Sequence, residues 1–213
     1  MRKCAILSMD SLADFEAYDD LIDQPMLALG WQTELVSWRN NAVNWSDYDV
    51  VVIRSPWDYQ DDMASFVKVL ERIEQSSAQL ENSLAVVQWN INKIYLTQLE
   101  ADGVTIVPTL WPETFNADNL AGYFSHFSTE QIVLKPRVSA NADNTFWLTQ
   151  DNYQDKVAEL KAAFAHRELM VQPFMADICQ EGEFSLFYFN GVFSHAILKT
   201  PAKGDFRVQE EHG

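Results

Sequence analysis

Residues 47–59 read Asp-Tyr-Asp-Val-Val-Val-Ile-Arg-Ser-Pro-Trp-Asp-Tyr, and this stretch decides the fold of the first half of the chain. Its four successive β-branched residues, Val50 to Ile53, are typical of a strand that is buried on both faces of a parallel sheet. Pro56 then ends the strand in a loop.

Strands and helices alternate on both sides of this stretch. The alternation predicts an open, mostly parallel α/β sheet over residues 1–108. The other strands are expected at 4–8, 32–37, 84–87 and 104–107, and the helices at 15–29, 63–74 and 90–101.

The second half of the chain has a different, α+β pattern. Its elements are expected to be strands at 132–135, 145–148 and 169–172, a helix at 151–165, and a hairpin at 184–198 with Asn190-Gly191 in the turn. We therefore place a domain boundary near residues 108–112. A hairpin needs more sheet or a helix to cover it, so we expect the last domain to be truncated.

Composition and charge limit the partners of the protein. The formal charge of −16 disfavours binding to nucleic acid and to anionic membrane surfaces. Two distant cysteines fit a reducing compartment, and no apolar run approaches the ~18 residues of a membrane span. The first apolar run stops at Asp10, too early for a signal peptide. We expect a cytoplasmic protein.

Several common motifs are absent from the sequence. It contains no G-x-G-x-x-G, no Walker A motif, no H-E-x-x-H and no C-x-x-C. The missing glycine fingerprint argues against a Rossmann oxidoreductase, although the first half is α/β. The four histidines lack ligand spacing, which argues against a structural zinc site.

Two lysines occupy positions that suit a phosphate. Lys135 ends an apolar strand, so its ammonium group would project from a rigid, partly desolvated position; the alternative is an edge lysine that extends into solvent. Lys93 lies in the expected first turn of the helix at 90–101. The helix dipole disfavours a cation there, which suggests a function, while the alternative is a surface lysine.

Four further residues are candidates with equally plain alternatives. Glu183 could accept hydrogen bonds from ribose hydroxyls or hold Mg²⁺, or belong to a solvated loop. Arg207 could bind an anionic oxygen or lie on the surface. Trp57 and Asp58 follow a central strand, where open α/β sheets bind ligands, but an aromatic residue there can also simply cover the sheet edge.

The order of these pieces resembles the ATP-grasp superfamily, in the branch related to prokaryotic glutathione synthetase and the cycloserine-biosynthesis cyclo-ligase. The resemblance extends over nearly the whole chain. The segments that carry it are Arg54-Ser55-Pro56-Trp57-Asp58-Tyr59, Trp89 to Leu96, Val107-Pro108-Thr109, Leu134 to Ala140, Val171-Gln172-Pro173-Phe174, Phe193 to Lys199 and Gly204 to Gly213.

The resemblance implies a fold and a reaction. Residues 1–108 would form the Rossmann-like pre-ATP-grasp domain, 109–175 the small lid subdomain, and 176–213 the start of the second subdomain. The reaction would be an ATP-dependent ligation of a small carboxylate to an amine through an acyl phosphate. Lys93 and Lys135 would contact the phosphates, Gln172, Pro173 and Phe174 would form the hinge beside adenine, and Glu183 would bind the ribose. Lys199 and Arg207 would face the γ-phosphate, and Trp57 and Asp58 would line the substrate side.

Two departures from the family pattern are expected to matter. The loop after the strand lysine, Ser139 to Thr145, would close over the phosphates, yet it contains no glycine, and Asp143 adds negative charge. The Mg²⁺ ligands of the family would lie beyond Gly213. We therefore expect ATP binding with little or no ligase activity; the alternative is a non-catalytic relative that binds a nucleotide or a partner. The apolar hairpin strands also predict self-association.

Overall fold

The computed structural model describes residues 1–13, 15–202 and 206–208. The chain forms two compact units, Met1–Tyr95 and Leu96–Gly213. The division into three domains, at 1–108, 109–175 and 176–213, stays a prediction.

The first unit contains a parallel sheet, as predicted. Its four strands lie in the order β2-β1-β3-β4, with every neighbouring pair parallel. The elements are β1 (Arg2–Ser8), α1 (Asp23–Ala28), β2 (Trp31–Ser37), β3 (Val50–Ser55), α2 (Met63–Glu74), β4 (Gln79–Glu81) and α3 (Leu84–Asn90), and α4 (Tyr95–Ala101) begins at the end of the unit.

One face of this sheet forms the core of the first unit. Val51 of β3 is fully buried, and it packs in a cluster with Phe66, Leu70 and Ile73 of α2. The spacing of these three residues, four and then three positions, places them on one side of the helix. Val50 and Val52 point to the opposite face of the sheet and are only half-buried. The prediction that β3 is fully buried on both faces is therefore wrong for this second face.

Two predicted elements of the first unit are corrected. The helix expected at 15–29 is reduced to α1 after a short 3-10 turn at Asp19–Ile22. The carboxylate of Asp19 accepts hydrogen bonds from the side chains of Arg54 and Ser55, and these bonds hold the preceding segment against β3. The strand expected at 84–87 is instead α3, capped by Ser83, and the fourth strand is β4.

The chain around Lys93 also differs from the prediction. Asn90 ends α3 and is not the N-cap of a helix at 90–101; residues 91–94 form a turn, and α4 begins at Tyr95. The side-chain oxygen of Asn92 accepts a hydrogen bond from the backbone of Ile94 at 3.0 Å, which is an alternative to helix formation. Lys93 therefore does not occupy a first helical turn, and the dipole argument for its function does not hold. Residues 104–107 form no strand.

The second unit contains two separate antiparallel sheets. Its elements are α5 (Leu120–Phe127), β5 (Gln131–Pro136), β6 (Phe146–Thr149), α6 (Val157–Ala163), β7 (Leu169–Pro173), α7 (Ala176–Gln180), β8 (Glu183–Phe189) and β9 (Val192–Lys199). Strands β6-β5-β7 form one sheet, and β8-β9 form the predicted hairpin, in which Asn190 and Gly191 both have positive φ. The predicted fold class, α/β followed by α+β, is confirmed.

The helix expected at 151–165 begins later, at Val157. Thr149 and Asn152 explain the delay, because each backbone N–H donates to the side-chain oxygen of the other residue, at 2.9 and 3.2 Å. Such local side-chain bonds compete with helix formation.

The three-stranded sheet has two different faces. Ile132, Leu134, Leu148 and Val171 share one face and are fully buried in a core with residues of α5 and α6. The cross-strand register places a second set on the other face, which we call the lysine face: Val133, Lys135, Trp147, Met170 and Gln172.

Among the described residues, no helix is long and apolar enough to span a membrane.

Candidate functional site

Lys135 stands near the end of β5 on the lysine face, opposite Met170 of β7. Its side chain is half-buried. Burial lowers the pKa of the Lys135 ammonium, and the negative charge of Glu183 opposes this shift. A cation with these properties suits an anionic ligand group, because less hydration must be removed when the ligand binds.

Glu183 and Lys199 form an ion pair beside this lysine. They lie directly opposite each other at the open end of the β8-β9 hairpin, and their side chains are in contact. Since the charge of Glu183 also acts on Lys135, the structure brings together three residues that were singled out from the sequence. The carboxylate of Glu183 can accept further hydrogen bonds besides the one from Lys199.

An aromatic group lies on the same side of the sheet. The rings of Trp147 and Phe174 stack with centroids 4.5 Å apart and planes 10° apart, and Phe206 packs edge-on against both, at 5.7 and 6.3 Å. Gln131 accepts a hydrogen bond from the indole N–H of Trp147 at 3.0 Å, which fixes the ring. The half-buried Arg207 follows Phe206 directly.

Sequence reasoning missed Trp147 as a member of this group. The only available signal was its position in the strand at 145–148, which the pairing with Val133 turns toward the lysine face. Trp147 and Phe174 are distant in sequence, so only the register brings them together.

The residues predicted to form the hinge beside adenine, Gln172 to Phe174, are held by hydrogen bonds of their own. The buried side-chain amide of Gln172 donates to the hydroxyl of Thr109 at 2.9 Å, which joins two segments that carried the resemblance. The backbone N–H of Phe174 donates to the carbonyl of Gln131 at 3.0 Å. Pro173 between them is half-buried.

Arg137, two residues after Lys135, was quoted in a motif without a role and is buried. Its guanidinium donates to the carbonyls of Leu169, Trp111 and Pro112 at 3.1, 2.8 and 3.0 Å. It therefore ties the chain after β5 to β7 and to the segment at 111–112. Its role is to position the strand that carries Lys135.

The glycine-free loop after β5 adopts left-handed backbone conformations at non-glycine residues. Asn141, Ala142 and Asn144 have φ of 51°, 56° and 50°. Asparagine tolerates this region, whereas alanine does so at a cost of about 1–2 kcal/mol. The hydroxyl of Ser139 donates to the carbonyl of Pro136 at 3.3 Å.

Asp143 in the same loop forms an ion pair with Arg167 at 3.2 Å. The negative charge that was expected to disfavour a phosphate near this loop is therefore compensated within the unit.

Gly182 allows the close approach of the chain before β8 to the end of β9. Its φ is +95°, and a Cβ atom there would lie 2.7 Å from both the carbonyl oxygen of Lys199 and the Cδ1 of Leu198. Only glycine fits this backbone without displacement.

We expect Gly182→Ala to lower the free energy of unfolding by about 2 kcal/mol, from left-handed strain and steric displacement together. Urea unfolding followed by circular dichroism measures this change. Gly122→Ala in α5 is the matched control, since nothing lies within 4 Å of its Cβ position. It should be stabilising by about 0.5–1 kcal/mol, and equal effects of the two substitutions would contradict the assignment.

The remaining predicted residues belong to the first unit. Trp57 is half-buried and packs against Phe15 with ring centroids 5.4 Å apart. Asp58 accepts hydrogen bonds from the indole of Trp38 and from Arg39, both at 2.7 Å. Lys93 is half-buried in the turn between α3 and α4. Among the described residues there is no group of three or more His, Cys, Asp or Glu side chains that could hold a metal ion.

Comparison with known proteins shows sequence similarity to the cycloserine biosynthesis protein DcsG. The family described as the N-terminal domain of D-cycloserine synthetase DcsG matches residues 4–82. The cycloserine biosynthesis protein DcsG of Streptomyces lavendulae is 30% identical over 181 residues, which cover 80% of this chain and 58% of that protein. The chain thus spans little more than half the length of this relative.

Solved structures share the fold. The crystal structure of D-cycloserine synthetase DcsG matches with a TM-score of 0.82 at 23% identity, over 93% of this chain and 68% of that one. The D-alanyl-alanine synthetase A of Vibrio cholerae matches with a TM-score of 0.68 at 14% identity, over 99% and 70%. A RimK domain ATP-grasp protein of Sphaerobacter thermophilus matches with a TM-score of 0.63 at 15% identity, over 81% and 64%. The resemblance inferred from the sequence is confirmed: the chain is similar in sequence to the cycloserine biosynthesis protein DcsG, and it shares the fold of D-cycloserine synthetase and of solved ATP-grasp proteins.

Proposed function

We propose that this protein binds ATP on the lysine face and takes part in an ATP-dependent carboxylate–amine ligation. The observation that carries the proposal is Lys135, half-buried on that face beside the Glu183–Lys199 pair. ATP would supply the phosphoryl group that converts a carboxylate into an acyl phosphate, which an amine then captures as phosphate leaves.

The residues on the lysine face fit a nucleotide. The stacked rings of Trp147 and Phe174 offer an apolar surface beside the Gln172–Phe174 hinge, which suits a purine base. Trp147 pairs with Val133, two residues before Lys135 on the same face, so an apolar surface and a cation are both available to a nucleotide with its phosphates. We propose that Lys135 contacts the phosphates and that Glu183 accepts hydrogen bonds from ribose hydroxyls.

The other proposed roles are supported by the resemblance. Lys93 and Ser139 would contact the phosphates, and Lys199 and Arg207 would neutralise the charge of the transferred phosphoryl group. Trp57 and Asp58 would lie on the substrate side. We assign no residue to Mg²⁺, and a requirement for this ion stays a prediction.

A non-catalytic nucleotide-binding relative is the second candidate function. It is favoured by the strained, glycine-free loop at 139–145, in which even Ala142 has a left-handed conformation. Such a loop is less suited than a glycine-rich one to close over phosphates through its backbone N–H groups.

Calorimetric titration with ATP, ADP and NADH tests the proposed function. We expect ATP and ADP to bind and NADH not to bind, because the chain lacks the dinucleotide fingerprint. Binding of NADH in place of ATP would contradict the proposal.

Release of ADP with a panel of amino acids and dipeptides then separates the two candidates. The low turnover predicted from the sequence stays a prediction for the 213-residue chain, and turnover of about 1 s⁻¹ or more would contradict it. The carboxylate and amine substrates would be identified by the same panel.

Self-association also stays a prediction. Both faces of the hairpin carry exposed apolar side chains, including Phe184, Tyr188, Phe189 and Phe193. Light scattering as a function of protein concentration measures it, and a monomer at high concentration would count against it. A cytoplasmic location and a likeness to glutathione synthetase are likewise predictions.

A further inference from the structure

We propose that a cavity in the first unit binds a small anion through its carboxylate or phosphate group. The cavity has a volume of about 380 Å³ and lies between the turn after β2 and one side of helix α2. Arg39, Lys68 and Arg72 line it, above an apolar floor of Trp38 and Val69. None of the residues assigned to ATP lines this cavity, so the proposal does not depend on the proposed function.

Arg39 is held in a fixed orientation before any ligand binds. Its Nε donates to the carboxylate of Asp58 at 2.7 Å, its Nη2 approaches the backbone carbonyl of the same residue at 3.4 Å, and its guanidinium lies 4.1 Å above the ring of Trp38. These bonds use two of the five N–H donors of the guanidinium, so donors are left for an oxyanion.

Asp58 is itself fixed, because the indole N–H of Trp38 donates to its other oxygen at 2.7 Å. Asp58 was predicted to line the substrate side of the protein. That role stays a prediction, and the bonds of Asp58 to Arg39 make it a positioning residue at the edge of this cavity.

Lys68 and Arg72 place two like charges one helical turn apart. A pair of cations at this spacing is destabilising by about 0.2–0.5 kcal/mol in an isolated helix. Within the described parts of the chain, neither residue forms an ion pair, although the protein carries 31 Asp and Glu. An anion between the two would remove their repulsion.

Asp62, the carboxylate that lines the cavity, is already engaged in a hydrogen bond. It caps α2 by accepting a hydrogen bond from the backbone N–H of Ser65 at 3.1 Å. This bonding to Ser65, together with the positive charges of Arg39 and Lys68, holds the pKa of Asp62 below its ordinary value. The local surplus of positive charge contrasts with the net charge of −16, so an anion would be attracted to this cavity rather than to the surface at large.

The test compares two probes, inorganic phosphate and succinate, at constant ionic strength. Their effect on the thermal unfolding midpoint of the full chain, and their affinity by calorimetry, are measured for the wild type and for Lys68→Gln/Arg72→Gln. Both side chains are exposed, and glutamine is a good helix former, so the variant should fold. Lys156→Gln/Lys161→Gln is the control, since it changes the net charge equally outside the cavity.

We expect at least one probe to raise the unfolding midpoint of the wild type and of the control. Its affinity should fall by roughly tenfold for each cation removed in the Lys68/Arg72 variant. The charge-preserving variant Lys68→Arg/Arg72→Lys should retain most of the affinity. Selective binding of phosphate or of succinate identifies the group that the site prefers. The proposal is overturned if neither probe binds the wild type, or if both double glutamine variants lose affinity equally.

Discussion

Arg137→Ala is expected to lower the free energy of unfolding of the second unit by about 3–5 kcal/mol. Three backbone carbonyls depend on this one guanidinium, at 2.8 to 3.1 Å, in a buried position. Removing the side chain leaves the carbonyls of Leu169, Trp111 and Pro112 without that donor and opens a cavity. Urea unfolding, followed by circular dichroism, measures the loss.

Two further variants separate the hydrogen bonds of Arg137 from its charge. Arg137→Lys keeps the charge but lacks the planar arrangement of donors, so it should restore little of the lost stability. Glu168→Gln removes only the half-exposed ion-pair partner, 3.4 Å away, and should change stability by less than about 1 kcal/mol. A full rescue by lysine, or a large effect of Glu168→Gln, would show that charge rather than geometry is decisive.

Lys135→Met is expected to weaken ATP binding roughly ten- to a hundredfold, the loss of a charge-assisted bond worth about 1.5–3 kcal/mol. The same substitution should not destabilise the fold at neutral pH. Burial lowers the pKa of the ammonium, which means that the charged form is disfavoured in the folded state. Methionine removes this penalty and is only one atom shorter than lysine, so stability should be unchanged or higher.

The sign of the pH dependence follows from the same shift. The folded pKa of Lys135 lies below the unfolded one, so between the two values the unfolded chain binds more protons and stability rises with pH. ATP affinity should fall as the pH rises through the folded pKa of Lys135, because the ammonium group then loses its proton.

Most strands of the protein could be predicted from the sequence, although β4 was missed and the strand predicted at 104–107 does not form. The β-branched run at 50–53 and the apolar segments at 132–135 and 169–172 define β3, β5 and β7, because strand periodicity depends on neighbouring residues alone. The run Leu84-Ala85-Val86-Val87 was misassigned, because a short apolar run fits a strand or a buried helix equally. Ser83, the N-cap of α3, was the available signal.

Helix limits and the composition of the site were less predictable. The helix at 23–28 is short because Asp19 bonds to Arg54 and Ser55, which are more than thirty residues away. Lys135 could be singled out because its position at a strand end is local. Trp147 and Arg137 could not, since their partners Phe174 and Trp111 are brought to them only by tertiary packing.

Calorimetric titration of the wild type, Lys135→Met and Lys161→Met with ATP tests the central claim most directly. Lys161 is an exposed lysine of α6 and provides a control with the same change in charge. We predict that the wild type and Lys161→Met bind ATP with similar affinity and that Lys135→Met binds at least about tenfold more weakly while remaining folded. Equal affinities in all three proteins, or no binding by the wild type, would contradict a nucleotide site on the lysine face.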